Sequence, residues 1–186
     1  MLTRIMLMLA YPAVIIFGIQ FFQPRYVAML IALLLIVRWK AEAKSVLAGM
    51  SRLYLAVFFV LLICIIVITI TNNETMLRLY PALVNCGMLL IFGFSLKYPP
   101  SLIERFARLH ATDLTVAGIS YTRKVTQVWC VFFVFNGSVA AITALYTSRE
   151  VWSLYNGLVA YILMGVLFAG EWLIRRRFID NKTKSI

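Results

Sequence analysis

Residues 53–71 form a run of nineteen positions without a single charged side chain. Water cannot solvate such a run, and hydrocarbon leaves its peptide groups no partner but one another. A lone segment in that setting must be helical. A helix crossing the hydrocarbon core needs about 20 mostly apolar residues, and the pattern recurs along the chain. Six segments qualify as expected spans, at about 5–22, 24–40, 53–71, 77–96, 125–146 and 151–174. The second is the shortest in apolar content and reaches spanning length by including Arg25 and Arg38, which can snorkel to opposite interfaces. The reading is therefore an all-α polytopic membrane bundle of six transmembrane helices forming a single domain.

Composition agrees. Of 186 residues, 63% are hydrophobic and 13% charged, and the mean hydropathy is +0.92. A typical soluble domain is about 45–50% apolar and about 25% charged. A soluble enzyme domain, a disordered tail and a disulfide framework are excluded on these figures. Cys64, Cys86 and Cys130 lie in apolar runs without metal-ligand or redox spacing, and read as buried small hydrophobes.

The net charge of +11 would suggest nucleic acid in a soluble chain. Here it reports topology, and no nucleic-acid partner is expected. Assigning alternate loops to two sides puts 15 cations on one side, among them Lys97, Arg105, Arg108, Arg123, Lys124 and Arg175 to Arg177, and only Arg25, Arg78 and Arg149 on the other. By the positive-inside rule both termini are cytoplasmic. Arg4 before an apolar run imitates a signal peptide, but no small-x-small cleavage site follows, so the first span is expected to remain.

The longest connection, 97–124, contains Ser101-Leu-Ile-Glu104-Arg-Phe-Ala-Arg-Leu109. Ser101 with Glu104 three residues on is a capping-box signature. Leu102, Ile103, Phe106 and Leu109 fall on one face, and Glu104, Arg105 and Arg108 on the other. A short cytoplasmic amphipathic helix at about 101–109 is expected, lying in the interface or packed on the bundle end.

Candidate chemistry is sparse. Asn85, Asn136, Asn156 and Glu171 are polar groups inside spans and form a candidate intramembrane polar site. The amides can equally serve as interhelical glue, and Glu171 can pair with Arg175 one turn on. Arg123, Lys124, Arg175, Arg176 and Arg177 gather at one interface as a candidate lipid or anion site. The small pairs Gly137/Ala141 and Gly165/Ala169 predict tight antiparallel packing of the last two spans. Two Asn-Gly segments twenty residues apart, at Asn136 and Asn156, read as shared packing chemistry and not as a transporter repeat. His110 with Asp113 has the wrong spacing for a membrane acyltransferase. No catalytic residue, cofactor or metal site is assigned.

The stretch Pro99-Pro100-Ser101-Leu102-Ile103-Glu104-Arg105-Phe106, with Tyr121-Thr122-Arg123, Trp129 to Phe133, Asn136-Gly137, Tyr155-Asn156-Gly157 and Gly170-Glu171-Trp172, resembles an uncharacterised family of bacterial inner-membrane proteins. Genes of that family sit among acyl-carrier-protein and fatty-acid-synthase-like genes, including aryl-polyene clusters. The resemblance covers roughly the C-terminal half. The Trp129 to Gly137 pattern and the basic tail more distantly resemble the septation protein A family. Neither resemblance brings a catalytic residue. They imply a non-enzymatic inner-membrane accessory protein of envelope lipid or acyl-product metabolism. It would bind membrane lipids or recruit acyl-carrier-dependent synthases, and a homo-oligomer is among the expected partners. A small lipid or solute transporter and a septation-type scaffold for envelope or division proteins are the alternatives.

Overall fold

In the turn at Asn72 and Asn73, two adjacent asparagines do two different jobs. Asn72 adopts a left-handed backbone (φ 49°) and its N–H donates to Ile68 O at 2.9 Å, closing the helix before it. Asn73 is extended, and its side chain accepts from Met76 N–H at 3.1 Å, opening the helix after it. The computed structural model describes residues 52–109 and 114–183, plus the helical residues Arg25, Tyr26, Met29, Leu30 and Leu33. For Arg52 and 177–183 only the backbone is described.

Helix α1 is Arg52–Thr71 and α2 is Glu74–Lys97. A short helix, α3, Leu102–Arg108, leads to α4, Val116–Tyr146. Helix α5, Arg149–Leu154, runs through a π-helical turn, Tyr155–Val159, into α6, Ala160–Thr183. Inside that turn Ala160 N–H donates to Tyr155 O, five residues back. All the described elements are helical.

Four stretches are long and apolar enough to cross a membrane: Leu53–Thr71, Glu74–Lys97, Val116–Tyr146 and Arg149–Arg176. They correspond to the last four expected spans. The expected spans at 5–22 and 24–40 lie outside the described residues, apart from Arg25, Tyr26, Met29, Leu30 and Leu33. Arg25 N–H donates to Asn72 Oδ1 at 3.1 Å, which puts Arg25 at the same end as the α1–α2 turn. Helix α4 begins nine residues before its expected span. Its 31 residues measure about 46 Å at 1.5 Å each, more than the roughly 30 Å of hydrocarbon.

The buried positions of α4 are Thr122, Thr126, Trp129, Phe133, Asn136, Ala140, Thr143 and Ala144. From Thr122 to Thr143 they recur at alternating intervals of four and three, the spacing of a helix that packs side by side with a neighbour. The neighbour is chiefly α2, the most extensive helix pair in the fold. Close approach is possible because Gly137 faces α2: a Cβ there would stand 3.0 Å from Asn85 Cβ. On the other side of α2, a Cβ on Gly87 would meet Val57 Cγ1 at 2.7 Å.

This corrects the packing expected for the last two spans. The intimate partner of α4 is α2. Helix α6 meets α4 through large side chains, with Phe168 against Trp129 (ring centroids 4.7 Å) and Met164 and Leu167 on the aromatic core of Phe92, Trp129 and Phe133. Gly165 looks into open space. The cysteines also differ from expectation. Cys64 and Cys130 are half-buried and Cys86 is exposed, so Cys86 sits on an outward side of α2.

Helix α3 forms where expected, with Ser101 and Glu104 as its capping box. Its N-terminal Leu102 N–H donates to Ser95 Oγ at 2.9 Å, tying it to the end of α2. The expected division of faces fails at two points. Glu104 is buried, because its carboxylate accepts from Ser101 N–H at 3.4 Å and from Arg108 at 2.7 Å. Phe106 and Leu109 point outward instead, at 55% and 77% exposure. Leu102 and Glu104 are the buried side of the helix.

Candidate functional site

The polar groups of the bundle sort into three levels along the helices. The central level is a chain of hydrogen bonds across three elements. Asn136 Nδ2 on α4 donates to Asn85 Oδ1 on α2 at 3.0 Å. Tyr155 OH, in the π-helical turn, donates to Asn136 Oδ1 at 2.9 Å. Asn85 Nδ2 donates to Pro81 O at 2.8 Å. Asn85 and Asn136 are buried, Asn136 at 4% exposure. In hydrocarbon an amide without a partner is costly, and here each amide has one.

Two turns along α4 lies the second level. Asn156 Nδ2 donates to Thr143 Oγ1 at 3.3 Å and to Trp152 O at 3.0 Å. The guanidinium of Arg78 donates to the carbonyls of Thr143 (2.9 Å), Thr147 and Ser148. Those are carbonyls at and just past the C-terminus of α4, where a cation is favoured. Trp152 Nε1–H donates to Arg78 O at 2.8 Å. At the rim, Arg149 Nε donates to Glu74 Oε1 at 2.6 Å. This end therefore pairs Arg149 with Glu74 and holds Arg78 on backbone carbonyls.

The third level is the opposite, basic end. Tyr121 OH on α4 donates to Glu171 O at 3.2 Å and Glu171 Oε1 at 3.4 Å, and Arg175 stands 3.7 Å from the same carboxylate. Arg176 lies over the Trp172 ring at 3.9 Å. Arg123 and Lys124 are exposed on α4. Among the described side chains this end carries Lys97, Arg105, Arg108, Arg123, Lys124, Arg175 and Arg176 against Glu104 and Glu171 alone. Both acids are already engaged by Arg108 and Arg175.

The polar site expected from the sequence is thus not one site. Asn85 and Asn136 come together, Asn156 belongs to the neighbouring level, and Glu171 is at the basic end with Tyr121. The expected anion site is also divided. Arg175 and Arg176 share a face of α6, whereas Arg123 is two residues, or about 200° of helix, from Tyr121 and so lies away from α6. The side chain of Arg177, with His110 and Asp113, lies outside the described residues. Tyr155, Thr143, Arg78, Trp152 and Tyr121 complete the three levels and were given no site role from sequence. A search for partners of each intramembrane amide would have considered Tyr155 and Thr143, but nothing local identifies them.

Among the described residues no three His, Cys, Asp or Glu side chains gather into a group able to hold a metal ion. No protein-family model matches the chain, and neither a curated protein nor a solved structure matches it.

Proposed function

We propose that this chain is a non-catalytic integral protein of a bacterial inner membrane that serves envelope lipid or acyl-product metabolism. In this reading it spans six times with both termini cytoplasmic, and its basic end binds lipid or receives soluble acyl-carrier-dependent synthases. One observation carries the reading. The buried amides are spent on joining helices, while the exposed cations are concentrated at one end. A bundle whose polar interior is closed in this way suits a fixed platform better than a solute path. The family resemblance, which rests on the quoted motifs, supplies the metabolic setting. The positive-inside rule supplies the orientation, since the end with excess cations then faces the cytoplasm.

The test has two arms. Purified protein in liposomes should give no lipid scrambling or solute flux above protein-free vesicles. Affinity purification from membranes in mild detergent should bring down acyl-carrier-dependent enzymes, identified by mass spectrometry, and lose them when Arg123, Lys124, Arg175 and Arg176 are changed to Glu. Flux above background would replace this reading with a transporter. Division or wall-synthesis proteins in place of synthases would replace it with a septation-type scaffold.

A further inference from the structure

On α6 the residues Gly165, Phe168, Ala169, Trp172, Arg175 and Arg176 recur at three- and four-residue intervals and share one flank of the helix. Gly165, Phe168, Ala169, Trp172, Arg175 and Arg176 are all exposed. Their chemistry changes in order along the axis. Gly165 and Ala169 present almost no side chain, and a Cβ at Gly165 would meet nothing within 4 Å. Phe168 is 57% exposed although it stacks on buried Trp129, so it is a wall with one open side. Trp172 follows, its ring under the Arg176 guanidinium, and Arg175 stands beside it, held toward Glu171.

We infer that this flank of α6 is a seat for one anionic phospholipid of the surrounding bilayer. The phosphodiester sits at Arg175 and Arg176, and an acyl chain runs along the shallow trough over Ala169 and Gly165, walled by Phe168 and Trp172. The inference rests on the lipid-binding part of the function proposed above and names its ligand class and residues. Three points support it. The dimensions agree: Gly165 to Arg176 spans roughly 16 Å of helix, close to the roughly 15 Å hydrocarbon depth of one leaflet. The charge is complementary: Arg175 and Arg176 have one carboxylate between them among the described side chains, Glu171. The guanidinium is also pre-placed, because the Trp172 face fixes Arg176 before any lipid arrives, which lowers the ordering cost of binding. The seat further explains why a glycine and an alanine occupy exposed positions of α6 beside Phe168 and Trp172.

The experiment is native mass spectrometry of the full chain in mild detergent, with equimolar phosphatidylglycerol and phosphatidylcholine of matched acyl chains. The first bound lipid should favour phosphatidylglycerol by about tenfold or more, and Arg175→Gln or Arg176→Gln should each reduce that preference about fivefold. Arg123→Gln removes a cation at the same end of the bundle but on another flank, and should leave the preference unchanged. Gly165→Leu fills the trough from a position whose Cβ would meet nothing within 4 Å, and should weaken retention of both lipids with the helical circular dichroism intact. Excess inorganic phosphate should not displace the lipid. Equal retention of the two headgroups would overturn the seat. So would an Arg123→Gln effect as large as that of Arg176→Gln, no effect of Gly165→Leu, or displacement by inorganic phosphate. Loss of the seat with synthase recruitment intact would remove this inference alone and leave the platform reading standing.

Discussion

Replacing Asn136 by alanine removes the hub of the central hydrogen-bond chain. Two interhelical bonds go, one to Asn85 Oδ1 at 3.0 Å and one from Tyr155 OH at 2.9 Å. Interhelical side-chain bonds in membranes average about 0.6 kcal/mol, with a maximum near 1.7, so the two together contribute about 1–3 kcal/mol. Asn85 Oδ1 is then left in a buried setting without its donor, which adds about 1 kcal/mol or more. The expected loss is therefore about 2–4 kcal/mol. The assay is reversible unfolding in mixed micelles by denaturing-detergent titration, followed by circular dichroism and tryptophan fluorescence. A double-mutant cycle of Asn136→Ala with Tyr155→Phe isolates the bond between them. A coupling of about 0.5–1.5 kcal/mol is expected, and a similar one with Asn85→Ala. An Asn136→Ala protein within about 0.3 kcal/mol of the parent, with no coupling to Tyr155, would refute the view that this chain of bonds closes the bundle.

The two kinds of glycine should behave differently. Gly137→Leu forces α2 and α4 apart at the 3.0 Å approach to Asn85 Cβ and should cost about 1–3 kcal/mol, whereas Gly170→Ala meets nothing within 4 Å and should be neutral or stabilising by up to about 1 kcal/mol; unfolding midpoints in the same titration compare them. Arg78→Leu strips the cation from the carbonyls at the end of α4 and should cost about 2–3 kcal/mol; the three bonds come from one terminal nitrogen, so Arg78→Lys, which keeps the charge on a shorter side chain, should recover part of that loss. Glu74→Gln, at the exposed pair with Arg149, should cost less than about 1 kcal/mol and should lose even that in high salt. In a background without native cysteines, Thr147→Cys should react with a membrane-impermeant thiol reagent only from the outer face of intact spheroplasts, and Lys97→Cys only after lysis; the reverse pattern would invert the proposed orientation.

The helical class was legible because hydrocarbon leaves a lone span no alternative, and the apolar runs mark where the spans lie. The sidedness of each helix was not legible, and α4 shows why. In a soluble helix the buried face is the apolar one, so hydropathy reveals it. In α4 the outward face, with Val128, Val131, Val134, Phe135, Ile142 and Leu145, is as apolar as the inward one. The inward stripe is Thr122, Thr126, Trp129, Phe133, Asn136, Ala140, Thr143 and Ala144, which mixes polar, small and aromatic side chains. Only its four-and-three spacing sets it apart, and that spacing has to be sought in residues other than leucine and valine. The same inversion explains the misjudged partner of α4. Gly137 and Gly165 look equivalent in sequence, yet one faces the backbone of α2 and the other faces outward.

The polar residues follow a related logic. A buried amide in lipid announces that a partner exists, because leaving it alone is expensive. It does not say which helix supplies the partner, since partners across the bundle lie far apart in sequence: Asn85 from Asn136 by 51 and Arg78 from Thr143 by 65. Glu104 is the local counterpart. Its capping role was readable three residues from Ser101, but the consequence was not. A carboxylate engaged at once by the helix start and by Arg108 no longer needs water, so it can turn inward and leave Phe106 and Leu109 to face out. The basic end was the most legible feature, because charge cannot be hidden in hydrocarbon and must collect at the ends of the spans. What sequence alone leaves undivided there, geometry separates. Arg123 and Arg176 count equally toward topology, but only Arg176 stands on the flank with Phe168 and Trp172. A contrast between those two arginines is therefore the sharpest way to tell a shaped lipid seat from the general attraction of a positive face.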